Sequence, residues 1–258
     1  MADFHYCPRG SVEPNGFVHL PQSEIKDCYW NRPWDYFMPP FRIAPHVWYV
    51  SGTTDVSSYL LDTGDGLILI DCPSVGTTYL QLESIRRAGF DPLDIKYIFI
   101  THAHGDHYAG ARMISEYTGA PCYMSKEDTE DYSKKLAEGT LGDMFGSHQW
   151  YPDRMYDIDK PFELGRMSIK MRICPGHTPG TVAYFFDDKD DETGEVFHLA
   201  MHGGAGATAG TENLKRLGYP LWMHDKYIAD CEEMAEMDVD IVLASHENQT
   251  NLFSGINE

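Results

Sequence analysis

Residues 101–107 read THAHGDH, and three histidines and one aspartate fall within six positions, His102 to His107. Neutral imidazole nitrogen and anionic carboxylate oxygen are the donors that hold zinc and related divalent ions. The chain has 12 His in 258 residues, so a single close pair would mean little. The spacing H-x-H-x-D-H means more, because a polar surface loop has no reason to concentrate this donor set. In extended backbone, side chains two apart project to the same side, so His102 and His104 can reach one ion together. Asp106 and His107 follow the turn at Gly105 and can face a neighbouring ion. Three more histidines stand directly after predicted strands: His177 in CPGHTPG, His202 in LAMHGG and His246 in ASHENQ. Strand ends that share one edge of a sandwich converge on one site, which makes these three candidate ligands beside the cluster. His5, His19, His46, His148, His198 and His224 lack that placement and are read as structural.

The elements that must position these residues follow from the apolar pattern. VWYVSG (47–52), VSSYLLDT (56–63) and LILIDC (67–72) read as successive strands, with TGDG a hairpin turn between the last two. GTTYLQLESIRRAGF (76–90) has helical spacing, and IKYIFIT (95–101) reads as a buried strand leading straight into the histidine cluster. YAGARMISEYTGA (108–120) predicts a helix ended by Gly119, PCYMS a strand, and KEDTEDYSKKLAEG a charged helix. Residues 139–160, with little period, read as a long loop. Strands follow at 168–174, in TVAYFFDD and at 196–201, then a helix in DKYIADCEEMAEM and a last buried strand, VDIVLAS (239–245). This alternation predicts an α/β architecture, one domain of sandwiched sheets over 46–258. Residues 1–45, rich in proline and aromatics as in CYWNRPWDYFMPPFRIAP, read as an irregular arm packed on that domain. The arm at 28–42 and the loops 139–160 and 203–220 are expected to wall the pocket.

Composition narrows the partners. The formal net charge of −20 repels phosphate backbones, and no basic patch offsets it, so nucleic acid is not expected as a partner. No apolar run is long enough to span a membrane. The N-terminus has no basic segment followed by an apolar core, and the six cysteines are scattered without a CxxC. These features predict reduced thiols in a cytoplasmic protein, although a mature secreted form would read the same way. The expected partner is a small-molecule substrate, and the oligomeric state is not legible.

THAHGDH, GHTPG and SH, in this order after GLILIDC, resemble the metallo-β-lactamase superfamily. Within it the likeness is greatest to the lactamase subclass (class B, subclass 3) with a three-His first zinc site and an Asp-His-His second site. FRIAPHVWYVSGTTDVSSYLLDTGDGLILID and the aromatic arm CYWNRPWDYFMPPF are similar to that subclass as well, and the likeness spans roughly residues 28 to 250. The resemblance implies a four-layer αβ/βα sandwich of two mixed sheets flanked by helices. It places His102, His104 and His177 on a first zinc ion and Asp106, His107 and His246 on a second, with iron or manganese as other occupants. It also makes Asp71, at the end of LILID, an acid that orients the ligand loop by hydrogen bonding.

Two features depart from the pattern. Where many superfamily hydrolases have a bridging aspartate, and the lactamase subclass a serine in a hydroxyl-bearing loop, this chain has His202, Gly203 and Gly204, with no hydroxyl before Thr208. His202 is therefore a candidate terminal ligand, proton donor or substrate contact. The chain also runs only 12 residues past His246, so the helix that usually follows is expected to be short or absent. The implied activity is a dinuclear zinc hydrolase that uses a metal-bound hydroxide to open a small cyclic amide or ester, as a β-lactamase does. Asp106 would hold the nucleophile and His202 would donate a proton to the leaving group, since histidine's ordinary pKa lies near working pH. A lactonase or thioesterase acting on a small cytoplasmic metabolite is the alternative, and a non-catalytic metal-binding protein of the same fold is the rival from outside enzymology.

Overall fold

The computed structural model describes residues 32–54, 56–140, 151–205, 209–246 and 249. Seven strands form the first sheet: β1 (Phe41–Ala44), β2 (Val47–Tyr49), β3 (Tyr59–Asp62), β4 (Leu67–Ile70), β5 (Ile95–Phe99), β6 (Cys122–Met124) and β7 (Arg154–Met155), adjacent in that order. β1 to β4 are antiparallel neighbours, whereas β4 to β7 run parallel. β4 is the run LILI with all four residues buried, as expected of a strand covered on both faces. The second sheet has five strands in the order β12-β11-β10-β9-β8: β8 (Phe162–Leu164), β9 (Met167–Ile173), β10 (Val182–Lys189), β11 (Val196–His202) and β12 (Ile241–Leu243). Along β9, buried Met167, Ile169 and Met171 alternate with exposed Ser168 and Lys170, the period of a sheet with one face in the core.

The two sheets face each other across one core. Tyr49, Tyr59, Leu61, Ile68, Ile70 and Phe99 of the first meet Ile169, Val182, Tyr184, Met201 and Leu243 of the second. Each fully buried aliphatic or aromatic side chain here stabilises the sandwich by about 1.5–3 kcal/mol. A second cluster lies on the outer face of the first sheet, where Leu60, Leu69, Ile98 and Ile100 pack against Ile85, Ile114 and Tyr132. Those last three belong to helices α1 (Thr78–Arg87), α3 (Ala111–Thr118) and α4 (Lys126–Glu138); α2 is the single turn Gly105–Tyr108. After β11 come α5 (Thr211–Leu217) and α6 (Trp222–Ala235), and Arg172 of β9 reaches across to Glu233 of α6 at 2.5 Å. Helices thus cover both outer faces of two mixed sheets, the architecture expected from the sequence.

Several boundaries differ from the sequence reading, each for a local reason. The proposed division at residue 45 cuts through a hairpin. Phe41–Ala44, read as part of an irregular arm, is an edge strand paired with β2, and Pro33–Tyr36 forms a 3₁₀ turn. Residues 1–31 of the arm lie outside the described residues. The helix expected over 108–120 ends at Gly119 as expected but starts at Ala111, parted from the turn Gly105–Tyr108. The break at Gly110 is a close approach, because the Gly110 N–H bonds Pro73 O at 2.7 Å and a Cβ there would stand 2.8 Å from Thr78 Oγ1. Within the loop expected over 139–160, Arg154–Met155 pairs with β6; residues 141–150, including His148, lie outside the described residues. Short edge strands such as β1, β7 and β8 carry too few residues to show a period.

Candidate metal centre

All the strands that feed the site end at one edge of the sandwich. β4 delivers Asp71, β5 delivers Thr101 to His107, the turn after β9 delivers His177, β11 ends on His202, and β12 leads to His246. Two cross-links set this edge. Val182 N bonds Thr101 O at 2.9 Å, and Ser57 N bonds Ser245 O at 3.0 Å beside an isolated bridge between Val56 and His246.

The site resolves into two groups of three. One donor atom from each of His102, His104 and His177 lies within 4.8 Å of the others, and the same holds for Asp106, His107 and His246. In the first group the rings are 4.5–4.7 Å apart between centroids. The rings of His102 and His107 approach to 4.1 Å, so the groups are contiguous.

Hydrogen bonds fix which nitrogen each ring offers. His107 Nδ1 donates to Asp71 Oδ2 at 2.7 Å, which leaves Nε2 as a lone-pair donor. The Thr101 hydroxyl donates to Asp71 Oδ2 at 2.8 Å and therefore accepts from His102 Nδ1 at 3.0 Å, which again leaves Nε2. The freed His102 Nε2 stands 3.1 Å from His104 Nδ1, and the freed His107 Nε2 stands 3.2 Å from His246 Nε2. At these distances one cation can take a nitrogen lone pair from both rings of each pair, in place of a proton held between them. Asp106 Oδ2 lies 3.5 Å from His246 Nε2 and 3.8 Å from His107 Nε2, adding an anion to the second group. The donor types, the tautomers and the converging lone pairs fit two divalent ions of the zinc kind.

Electrostatics agrees. Burial, reinforced by the neighbouring histidines, holds His102 and His177 well below the ordinary histidine pKa. Burial likewise pulls His104 down to about 4, against an upward pull from Asp106. These three rings therefore stay neutral and able to ligate at pH 7.

The structure makes Asp71 the anchor of the ligand loop. It is fully buried and is the only non-glycine with positive φ among the described residues, at 61°. Its Oδ1 accepts from Thr101 N at 2.8 Å, while Oδ2 serves the Thr101 hydroxyl and His107. A left-handed aspartate costs on the order of 1–3 kcal/mol, and three hydrogen bonds to the loop offset it.

His202 joins neither group. Its Nδ1 accepts from Gly204 N at 3.3 Å, its ring meets Tyr227 edge-on at 5.6 Å, and its buried Nε2 has no hydrogen-bond partner among the described residues. Burial pulls its pKa to about 4, with nearby Asp230 opposing, so at neutral pH the ring is neutral and holds one proton, on Nε2. The ordinary pKa that made it attractive as an acid does not apply at this depth. Thr208, where the nearest hydroxyl was sought, lies outside the described residues. Sequence reading missed Thr101, which sets the His102 tautomer, and Asp128, whose carboxylate bonds the loops on either side of the first group.

A protein-family model described as the metallo-beta-lactamase superfamily matches residues 51–191. Among solved structures, the native FEZ-1 metallo-beta-lactamase of Legionella gormanii superposes with a TM-score of 0.73 at 28% identity, covering 84% of this chain and 82% of that one. The class B3 di-zinc metallo-beta-lactamase LRA-12, from an Alaskan soil metagenome, gives 0.71 at 25% identity, with 87% and 84% covered. Among curated proteins, a hydroxyacylglutathione hydrolase of Shewanella sp. (strain ANA-3) is 26% identical over 55% of this chain. The chain spans 45% of that relative's length, and less than half of several others.

Proposed function

The chain belongs to the metallo-beta-lactamase superfamily, and from that premise we propose that it is a dinuclear zinc hydrolase that opens a small cyclic amide or ester, in the manner of a β-lactamase. The observation that carries this reading is the pair of three-donor groups, complete and contiguous, at one edge of the sandwich. Superfamily members are metallohydrolases, and a non-catalytic descendant would have no need to keep six donors in register.

Bound zinc would supply a Lewis acid and a water acidified toward neutral pH. The chain's own residues do the rest. His102, His104 and His177 hold the first ion, and Asp106, His107 and His246 the second. The Asp106 carboxylate, one-fifth exposed, stands at the mouth of the second group. There it would hold the second ion and offer its free oxygen as an acceptor for a proton beside the scissile carbonyl. Asp71 locks His107 and, through Thr101, His102, so neither ring can turn during the reaction. His202, its Nε2 buried, accepts from Gly204 N through Nδ1 and so holds the turn at the end of β11 beside the site.

Two observations favour a second reading, a lactonase or thioesterase. One is the likeness to a hydroxyacylglutathione hydrolase, whose named substrate is a thioester. The other is the sequence His202-Gly203-Gly204, which offers no hydroxyl for a lactam carboxylate. Hydrolysis of a chromogenic cephalosporin by zinc-loaded protein, against a chelator-treated control, separates the readings. The lactamase reading expects chelator-sensitive turnover with kcat/KM of about 10⁴ M⁻¹s⁻¹ or more. Negligible turnover by protein holding two metals, with activity on an acylglutathione or a lactone, supports the second.

A further inference from the structure

Asp128, in the first turn of α4, is fully buried, yet its carboxylate belongs to no metal-ligand group and to no ion pair among the described residues. Its three hydrogen bonds all go to the loops that carry the first group. Oδ2 accepts from Ala103 N at 2.7 Å, between His102 and His104. The same oxygen accepts from Thr178 Oγ1 at 2.7 Å, next to His177, and Oδ1 accepts from Gly180 N at 2.6 Å. Thr178 is held in turn by Thr181, with hydroxyls 2.8 Å apart and Thr178 N bonded to Thr181 Oγ1 at 3.1 Å. The seat is close-fitting: a Cβ on Gly180 would collide with Ser125 Oγ and stand 2.5 Å from Asp128 N. Ser125 is the N-cap of α4 and accepts from Asp128 N at 3.2 Å, so the helix start and the carboxylate are fixed together.

The loop 102–104 springs from the first sheet and the loop 177–180 from the second. Nothing else described bonds both at positions adjacent to the three histidines. We propose that Asp128 is the positioning residue of the first metal site, a clamp that sets the distance between the His102–His104 pair and His177. It touches no donor atom and acts through two backbone N–H groups and the Thr178 hydroxyl, whereas Asp71 acts on the second group through the His107 ring. This inference rests on the two-metal reading above.

The test is zinc affinity by competition with a chromophoric chelator, in two backgrounds. His246→Ala leaves only the first group intact, and His177→Ala only the second. Asp128→Asn keeps the shape but replaces one acceptor oxygen with a donor amide that faces the clamped N–H or hydroxyl. It is expected to weaken zinc in the His246→Ala background by about 10- to 100-fold, and in the His177→Ala background by less than about twofold. Thr178→Val, which removes one clamped donor and leaves the carboxylate, should give a smaller loss in the same background, with Thr178→Ser restoring it. Cobalt substitution adds a spectroscopic check, since the visible bands of the three-histidine site should shift in Asp128→Asn and those of the other should not. Equal affinity in Asp128→Asn and its parent overturns the clamp, as does equal loss at both sites. Should Asp128→Asn not fold, the Thr178 pair decides alone: no loss in Thr178→Val, or no recovery in Thr178→Ser, overturns the proposal. Wild-type protein that binds no zinc at either group overturns the two-metal reading and the clamp together, whereas wild type with two zincs and an indifferent Asp128→Asn overturns the clamp alone.

Discussion

The two halves of the metal centre are built by different means. In the second group a buried carboxylate grips a ligand ring directly, Asp71 to His107 at 2.7 Å. In the first, a buried carboxylate grips the loops beside the rings, Asp128 to the Ala103 and Gly180 N–H groups and the Thr178 hydroxyl. The direct grip fixes a tautomer and an angle, and the indirect one fixes a distance between two loops from different sheets. The first group is all imidazole, with His102 and His177 buried and His104 partly exposed. The second includes the partly exposed Asp106, the one carboxylate of the six. The difference teaches a division of labour: a neutral site held for permanence beside an anionic site held open for chemistry.

Replacing Asp106 by Ala should break the comparison most severely. Turnover is expected to fall by about 10³-fold or more while the three histidines keep their metal, as read by single-turnover kinetics and metal content. Unchanged turnover in Asp106→Ala would remove this carboxylate from the mechanism, whereas the non-catalytic rival expects no turnover in either protein. Next in size is Asp71→Asn, which should weaken zinc at the second group by about 10- to 100-fold and at the first by less, since Thr101 passes only part of the effect to His102. Equal losses at both sites would show that Asp71 holds the whole loop rather than one ring.

The metal-free protein sharpens the contrast through pH. His104 has a pKa of about 4 in the fold against 6.5 unfolded. The folded state therefore binds fewer protons than the unfolded one between these values. Its contribution to stability is complete above about pH 6.5 and is lost as the pH falls through about 4. The unfolding free energy of metal-free wild type, from urea titration, should drop by about 1–3 kcal/mol more than that of His104→Gln between pH 7 and pH 4.5. Parallel curves for the two proteins would count against a neutral, buried ring. The smallest effect is expected at His202, which stands outside both groups: His202→Ala should keep two zincs per chain and lower kcat by about tenfold, the scale of one lost hydrogen bond. Loss of a zinc in His202→Ala would make it a ligand after all.

How much of this was legible in the sequence depends on where the information sits. The ligands His102, His104, Asp106 and His107 are contiguous, so their spacing is their signal. His177 and His246 were found because each follows a strand, and strand ends gather at one edge. Asp71 was found only through its resemblance to a family acid; its positive φ is invisible in a string of letters. Asp128 gave a different signal. It lies in the charged helix read over KEDTEDYSKKLAEG, and the structure adds Ser125, read as strand, as the cap of that helix. Its second task depends on contacts 25 and 52 residues away. No local pattern encodes those. The same limit explains the fold. Fully buried β4 and alternating β9 declare themselves, whereas β7, of two residues, exists only because β6 is there to pair with.

One further feature is the far end of the sandwich. There His46, in the turn before β2, gives its backbone N–H to Asp188 Oδ2 and its Nδ1 proton to Asp188 Oδ1, each at 2.7 Å, while Arg166 donates to His46 Nε2. Asp188 belongs to the second sheet and His46 to the first, so this is a clasp across the seam. Each three-donor group also takes ligands from both sheets. The seam is thus closed by carboxylate and imidazole at one end, and at the other, in the two-metal reading, by metal coordination added to the Thr101–Val182, Ser57–Ser245 and Asp128 bonds. Chelation loosens only that second end. The molecule then works as a hinge and a latch: stripped of metal, it should open from the latch inward. In hydrogen exchange, amides of 174–181 and 241–246 would be released first, and those flanking His46 and Asp188 last.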